Sequence, residues 1–382
     1  MIARFRLLLP FAICVPQGEA LSPYDFDLGV YRVRVHPPRL AGINSADCGV
    51  LCPTPVDDLL QQLKKDVPQD ATEMVRMENA PTIQANLLAV DFHKPEFDRR
   101  KSTLAPPVDP SGGDPPLSLA FEVANSLLER IRSVNQASFV RPLVAQETLW
   151  RMDYLNDDET EIPQEPTLFR SKWAKSFNYR LCGLNSAIWT RIQSLPAGFQ
   201  PTAWDTLLLD AEALLPHVSA SIVLAFAALE NLIESSLNCL AGGSTIPAEL
   251  WEWINKRHGD GRLTPSVREQ FDELLRILTG RSLKDDGKLW ESFQHLRSAR
   301  NSILHEGVAK IADTEVTPAR ASELVGQAKA IANWVEPLLP RDLQRPVHRG
   351  VFNWRFDVPL TAGTHAAQRA EPSDPPDTNK PR

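Results

Sequence analysis

The sequence predicts an α+β protein in which a mixed domain with a sheet is followed by an all-helical bundle. In residues 1–200 several short segments alternate between apolar and polar residues, which is the period of a strand. From Thr202 to Pro340 apolar residues recur every three or four positions, which is the period of a helix. The 382 residues exceed the usual length of one domain. We therefore expect domains at 1–200 and 202–340, with a C-terminal extension at 341–382.

The first element is an apolar segment that can be interpreted in two ways. Two arginines precede the apolar run Leu7–Val15, and Gly18-Glu19-Ala20 resembles a cleavage site, so a signal peptide is possible. However, Pro10 interrupts the run, and Val30–Val35 alternates with strand period soon afterwards. We favour two strands of one sheet, the first of them buried.

The rest of the first domain alternates between helical and strand patterns. Pro and Gly are dense in residues 102–117, which predicts a surface loop or linker. The other patterns predict, in order, a short helix at Val56–Lys65, a strand at Ala85–Phe92, a helix at Ser118–Val134 and a strand at Thr148–Leu155.

The second domain consists of helices that Gly and Pro residues separate. The apolar spacing predicts helices at about 203–214, 217–240, 266–279, 287–305 and 318–338. Gly307 suits the left-handed residue that ends a helix. After Pro340 the apolar periodicity is lost, and residues 361–382 are small, polar and Pro-rich, which is typical of a disordered tail.

Composition and charge limit the classes of function. Apolar residues make up 43% of the chain and charged residues 23%, as in globular proteins, and the net charge is −7. The second domain holds 13 basic and 19 acidic residues, a net of −6. No general basic field therefore attracts nucleic acid, and RNA could bind only at a local pocket or with a partner surface.

Cysteine use and hydropathy indicate the compartment. The five cysteines are irregularly spaced, which argues against a disulfide framework and suits a reducing, cytoplasmic location. Cys48 and Cys52 lack a second pair at ligand spacing, so we expect no metal site and no cofactor. No stretch reaches the length of a transmembrane helix, and we expect no membrane association.

The segment Arg300-Asn301-Ser302-Ile303-Leu304-His305 closes the fourth predicted helix. An arginine can bind a phosphate and a histidine can move a proton, which RNA cleavage without a metal requires. On a helical wheel Arg300 lies in the apolar stripe with Phe293 and Leu296. Asn301 and His305 are four apart on a separate polar stripe, so the amide can hydrogen-bond the imidazole. Arg300 and His305 are about 140° apart around the helix and do not share a face.

The helix 217–240 supplies a carboxylate for this arginine. Glu230 lies at the margin of its apolar stripe, where we expect it to be half-buried and paired with Arg300 or Arg297. Such a pair could equally be a salt bridge that only fixes the packing of two helices. A histidine at a helix end, such as His305, commonly interacts with the helix dipole alone.

Together these features resemble a HEPN domain. The pattern R-N-x-x-x-H ends an amphipathic helix in an all-helical unit, and the stretches Leu289–Gly307 and Ala225–Ile233 resemble the Apea-like branch in particular. The resemblance covers about residues 205–340. One branch of the family has a Tyr two residues after the His. This chain has Gly307 at that position, so that branch's modification chemistry is not expected.

The resemblance implies a metal-independent endoribonuclease that acts as a homodimer with two motifs lining one cleft. Arg300 would bind the scissile phosphate, His305 would act as general base or acid, and Asn301 would orient His305 or touch the phosphate. The ribose 2′-hydroxyl would attack its own phosphate and leave a cyclic phosphate end. Such a protein would be a toxin or an anti-phage, abortive-infection effector, whose N-terminal domain senses a trigger or regulates the nuclease.

Two alternatives remain open. The HEPN unit could be a non-catalytic module that binds a nucleotide, RNA or a protein partner. The N-terminal domain could instead be an enzyme, but it has no Gly-rich phosphate loop, H-E-x-x-H motif or nucleophile elbow. Its candidate polar residues, His36, His93, Asp91 and Glu96, are expected to be scattered on the surface.

Overall fold

The chain is an α+β protein, as the sequence predicts, with a mostly antiparallel sheet and separate helices. The fold is described from a computed structural model. The residues that it describes are 1–16, 20–39, 82–98, 113–145, 148, 150–160, 162, 168–169, 180–255, 264–347 and 353–355.

The large sheet has eight strands in the described part of the chain. They are β1 (Ile2–Pro16), β2 (Tyr24–Leu28), β3 (Tyr31–Val35), β4 (Thr82–His93), β5 (Trp150–Leu155), β6 (Leu168–Phe169), β7 (Arg180–Gly183) and, numbered last in the chain, β10 (Asn353–Arg355). The order is β10-β7-β1-β4-β3-β2, and β5 pairs with both β1 and β6. A separate hairpin is formed by β8 (Lys310–Ile311) and β9 (Thr314–Glu315).

The N-terminal apolar segment is the central strand of this sheet. β1 pairs antiparallel with β4 and β5 and parallel with β7, so it has neighbours on both sides. Pro10 lacks an N–H for the ladder, and the pairing with β4 shifts register between Leu8 and Ile13 to accommodate it. The buried strand that we favoured at this position is therefore present.

A row of alternating charges crosses one face of the sheet. The pairing places Asp25, Arg34, Asp91, Arg4 and Asp153 side by side on five adjacent strands. Opposite charges at neighbouring positions stabilise antiparallel pairs. Burial raises the pKa of Asp91, but hydrogen bonds from Arg4 and His36 outweigh burial and hold it below its usual range.

The stability of the fold should depend on the ionisation of Asp25 at acid pH. Hydrogen bonds from Arg34, together with Arg32, lower the pKa of Asp25 to about 2. Because the folded-state pKa lies below the unfolded value, this stabilisation is present above about pH 4 and is lost as the pH falls toward 2. We expect Asp25→Asn to lower the melting temperature at pH 6 and the difference from wild type to shrink toward pH 2.

Thermal melts across this pH range test the effect, with Asp27→Asn as the control on the same strand. A difference from wild type that stays constant from pH 6 to pH 2 would contradict the assignment.

The opposite face of the sheet packs on helix α1 (Leu117–Asn135), close to the predicted helix. Alternate strand residues and one side of α1 form the first hydrophobic cluster, which includes Phe5, Leu88, Phe92, Leu127 and Ile131. Helix α2 (Ser186–Gln193), which the sequence did not predict, closes this cluster with Ile188 and Trp189.

The second hydrophobic cluster lies entirely after residue 203, in the helices, the hairpin and the short segments that flank them. Its helices are α3 (Ala203–Ala213), α4 (Val218–Gly242), α5 (Ala248–Asn255), α6 (residues 267–279, with a π-helical turn at Gln270–Leu274), α7 (Gly287–Glu306) and α8 (Pro318–Val335). The five helices expected from apolar spacing are present with ends within three residues of prediction. Helix α5 and the hairpin were not predicted.

Helix α4 is long and apolar enough to cross a membrane by length and composition. The expectation that no segment reaches this length is therefore wrong for α4. The helix contains Glu230 and Glu234, and its apolar residues Ile222, Phe226 and Leu229 are buried in the second cluster.

Four sequence-based expectations fall on residues outside the described part of the chain. They are the absence of a metal site at Cys48 and Cys52, the short helix at Val56–Lys65, most of the loop at 102–117 and the disordered tail from about 361. The division into domains at about residue 200 stays a prediction, although the two apolar clusters lie on either side of it.

The C-terminal extension returns to the N-terminal sheet, which its irregular sequence did not suggest. β10 adds to the sheet as the antiparallel neighbour of β7. Before it, Arg345 has a side chain only 5% exposed and donates hydrogen bonds to Gln136, Asn333 and Glu336. It lies 4.8 Å over the Trp204 ring and 3.5 Å from the carboxylate of Asp205.

Arg345 is therefore the centre of a polar junction between the two clusters. Asp205, fully buried on α3, also accepts hydrogen bonds from Gln136 at the end of α1. A second ion pair, between Arg132 and Asp210 at 2.6 Å, joins α1 to α3 beside it. The extension, α1, α3 and α8 thus meet at one set of charged side chains.

Candidate functional site

The segment Arg300–His305 forms the last turns of α7, as expected. Asp286 caps the start of this helix by accepting a hydrogen bond from the backbone N–H of Leu289. Gly307 ends it with a φ of 78°, a left-handed conformation that favours glycine. Phe293, Leu296 and Ala299 are buried in the second cluster, so the core fixes the rotation of α7 and with it the direction of each motif residue.

Arg300 lies at the edge of the core and faces α4. Its guanidinium lies 5.4 Å over the Phe226 ring and 3.6 Å from a carboxylate oxygen of Glu230. The side chains of Arg300 and Glu230 are 30% and 35% exposed, so the pair borders solvent. The half-buried, paired carboxylate expected on α4 is thus present, with Arg300 as its partner.

Asn301 binds the arginine, which differs from the expected contact. Its side-chain oxygen accepts a hydrogen bond from Arg300 Nη1 at 3.1 Å. The hydrogen bond that we expected between Asn301 and His305 is not formed. A hydrogen bond from a charged guanidinium is stronger than one between two neutral side chains, which accounts for the choice.

His305 is exposed at the end of α7. Its imidazole has no hydrogen bond or ion pair with any residue in the described part of the chain. Arg300 and His305 are five residues apart, about 7.5 Å along the helix axis, and point in different directions. One copy of the chain therefore does not bring both side chains to one phosphate in this conformation.

The neighbours of the motif are partly apolar and exposed. Leu304 is 57% exposed and Val308 is 38% exposed. Arg297, one turn before Asn301, is half-buried and makes no ion pair within the described ranges. Exposed apolar side chains beside a charged site are a common feature of surfaces that contact another molecule.

The Glu230–Arg300 pair should orient the arginine more than it stabilises the fold. Because both side chains are about one-third exposed, we expect a double-mutant cycle with Glu230→Gln and Arg300→Met to yield a coupling free energy below about 1 kcal/mol. Chemical denaturation of the four proteins measures it. A coupling near 3 kcal/mol or more, as found for buried pairs, would contradict this assignment.

The N-terminal polar residues are more organised than the sequence suggested. Asp91 is fully buried and accepts hydrogen bonds from Arg4 at 2.7 Å and from His36 at 2.7 Å. The expectation of scattered surface residues is therefore wrong for His36 and Asp91. His93 lies opposite Arg32 on the neighbouring strand, and Glu96 is exposed. Arg4 balances Asp91, so the arrangement is that of a buried ion pair.

The arrangement at α7 can bind an anion and exchange a proton. Arg300 presents a charged, partly exposed guanidinium that already has a carboxylate and an amide to hold it. His305 presents an imidazole to solvent. The described residues contain no group of three His, Cys, Asp or Glu side chains placed to hold a metal ion.

Sequence reasoning missed two features of this region. The sequence did not indicate that the ring of Phe226, which is buried in the second cluster, also supports Arg300. The hairpin β8–β9 packs beside the end of α7, where Ser302 donates a hydrogen bond to the carbonyl of Val308 at 2.7 Å. A strand of two residues is too short to show a periodic pattern in the sequence. In the structure the hairpin turns at Ala312-Asp313, where both φ angles are positive.

Comparison with known proteins provides no further assignment. No protein-family model matches the chain, and no curated protein and no solved structure matches it either.

Proposed function

We propose that this protein is a metal-independent endoribonuclease of the HEPN type, built on residues 202–340. The observation that carries the proposal is how the residues of the motif R-N-x-x-x-H are held and exposed. Its arginine is held at the surface by Phe226, Glu230 and Asn301, while His305 is exposed. A purely structural pair would need neither an exposed histidine nor a solvent-facing guanidinium.

The roles of the residues follow from their chemistry. Arg300 would bind the scissile phosphate and stabilise the negative charge that builds on it. His305 would take the proton from the ribose 2′-hydroxyl or give one to the leaving oxygen. The attack of the 2′-oxygen on phosphorus breaks the bond to the 5′-oxygen of the next nucleotide, leaving a 2′,3′-cyclic phosphate.

The active unit would be a homodimer in which the motifs of two subunits face each other. The divergent directions of Arg300 and His305 in one chain support this proposal, because a partner's histidine could approach the arginine. The exposed Leu304 and Val308 beside the motif also support a contact there. The acidic charge of residues 202–340 limits RNA binding to such a local cleft.

The cellular role would be that of a toxin or anti-phage effector in the cytoplasm. The polar junction around Arg345 supports a regulatory role for the N-terminal domain, because it connects α1 with α3, the helix that packs on α4. A regulatory protein or phage component would be the trigger.

Purified protein incubated with total RNA or tRNA in EDTA tests the activity. We expect cleavage that EDTA does not inhibit. The new 3′ ends should resist polyadenylation until acid hydrolysis opens the cyclic phosphate and a phosphatase removes the resulting monophosphate. An absence of cleavage at any protein concentration, or cleavage that requires added Mg²⁺, would overturn the proposal.

The second candidate function is a non-catalytic module that binds a nucleotide, RNA or a protein partner. The acidic charge of the helical unit and the pairing of Arg300 with Glu230 favour it. In that case wild-type protein would bind RNA or a nucleotide without cutting RNA, and Arg300→Ala would weaken binding.

A further inference from the structure

Arg297 stands one turn before Arg300 on α7, and its side chain is half-buried. It makes no hydrogen bond and no ion pair with any residue that the structure describes. Every other arginine that the structure shows to be buried or half-buried has such a partner. Arg4 and Arg345, for example, pair with carboxylates, and Arg130 donates to backbone carbonyls. Arg297 is therefore the exception among the shielded arginines of the described ranges.

The missing partner leaves two guanidinium groups beside each other with one carboxylate between them. Arg297 and Arg300 are three residues apart, so their β-carbons lie about 5–6 Å from each other. Glu230 lies 3.6 Å from Arg300 and makes no ion pair with Arg297, and neither does Glu234, which is exposed one turn later on α4. Like charges on neighbouring turns repel each other, and a half-buried charge without a partner costs free energy. A bound anion would offset both effects.

The direction of Arg297 relates it to the motif. On the helical wheel it lies about 60° from Arg300 and about 40° from Asn301, between the two. Helical side chains lean toward the N-terminus of their helix, so the side chain of Arg297 extends along α7 away from His305. Going along the helix, the order is therefore His305, Arg300 and Arg297. An RNA strand with one phosphate at Arg300 and its 2′-hydroxyl near a histidine can pass Arg297 with the next phosphate.

We propose that Arg297 is a second phosphate-binding residue, which holds the phosphate next to the scissile one. The inference rests on the proposed function, because the scissile phosphate at Arg300 defines the adjacent one. A guanidinium can donate two parallel N–H groups to phosphate oxygens. A contact to a neighbouring phosphate positions the strand and adds affinity without touching the reacting atoms.

Binding of a single-stranded 2′-O-methyl RNA oligonucleotide tests Arg297 without cleavage, because the attacking hydroxyl is blocked. Fluorescence anisotropy with the full chain measures the affinity at several salt concentrations. We expect Arg297→Gln to weaken binding about tenfold, as for loss of one hydrogen-bonded charge. The plot of log affinity constant against log salt concentration should become shallower by about 0.7, as for one phosphate contact on a single strand. Arg297→Lys should keep the wild-type slope, since lysine retains the charge.

Arg320→Gln is the matched control. Arg320 is also half-buried, but it contacts His295, which points about 160° away from Arg297 around α7. This variant should keep the affinity and the salt dependence of wild type. Arg297→Gln removes no ion pair, so its melting temperature should stay close to that of wild type. Unchanged affinity and salt dependence in Arg297→Gln, or an equal loss in Arg320→Gln, would overturn the inference.

Steady-state cleavage of unmodified RNA separates this inference from the proposed nuclease. Arg297→Gln should raise KM about tenfold and leave kcat near that of wild type, because the contact is the same before and during the reaction. Cleavage with the same KM in both proteins would overturn the role of Arg297 and leave the nuclease intact. Arg297-dependent binding of the blocked RNA, without cleavage of any RNA, would support phosphate binding by Arg297 and reject the nuclease. Failure of wild type to bind the blocked RNA would overturn the inference.

Discussion

Arg300→Ala and His305→Ala should each abolish most RNA cleavage without unfolding the protein. Loss of a positioned proton-transfer group typically slows a reaction by about 10²–10⁴-fold, and loss of a charge-stabilising donor by about 10²–10³-fold. His305 is exposed and Arg300 is 30% exposed, so we expect both melting temperatures to stay close to that of wild type. Initial rates on a labelled RNA and parallel thermal melts measure the two effects.

Matched controls make this result interpretable. Arg268→Ala removes another exposed arginine that lies over an aromatic ring, that of Trp290, at 5.9 Å. His217→Ala removes another exposed histidine of the helical part. Both should retain wild-type rates. Arg300→Lys should recover little, because lysine keeps the charge but not the two parallel N–H donors. Unchanged cleavage by Arg300→Ala and His305→Ala would reject the motif as the active site.

Arg345→Met should strongly destabilise the fold. The change leaves Asp205 fully buried without its guanidinium, and Glu336 without both of its charged hydrogen bonds. Breaking a buried ion pair by removing one partner costs about 3–5 kcal/mol. We therefore expect the melting temperature to fall by more than about 5 °C. Arg341→Met, which removes an exposed arginine of the same extension, should have almost no effect.

The pH dependence identifies Asp205 as the origin of this loss. Burial already raises the pKa of Asp205, although Arg345 opposes the shift, and the substitution should raise it further. A raised pKa stabilises the fold at low pH, and this contribution is lost as the pH rises through the folded-state value. The deficit of Arg345→Met should thus grow as the pH rises from about 4, and Asp205→Asn should relieve part of it. A deficit independent of pH would contradict this explanation.

Prediction from the sequence works best within a single helix, where apolar residues recur with the helical period. Phe293 and Leu296 on α7 define a core face, and the wheel places Arg300 on that face, with Glu230 as a candidate partner. The structure shows this pairing, but with Arg300 at the edge of the core and 30% exposed. The Asn301 contact was predicted wrongly because two neighbours compete for one flexible amide, and the wheel does not rank them.

Contacts between distant segments leave no such local signal. Arg345 stands before Pro346 in a segment without periodicity, yet it contacts Gln136, which is 209 residues away. Strand β10 has three residues and pairs with β7 far earlier in the chain. These features depend on the assembled core, which no single segment encodes.

Mixing purified Arg300→Ala and His305→Ala chains tests most directly whether the active site lies between subunits. A mixed dimer contains one composite site with an intact arginine from one chain and an intact histidine from the other. After exchange of subunits we predict recovery of about a quarter of wild-type activity, because about half of the dimers are mixed and each has one working site. Mixtures that cleave RNA no faster than the two variants assayed separately, when wild type is active, would contradict an active site shared between subunits.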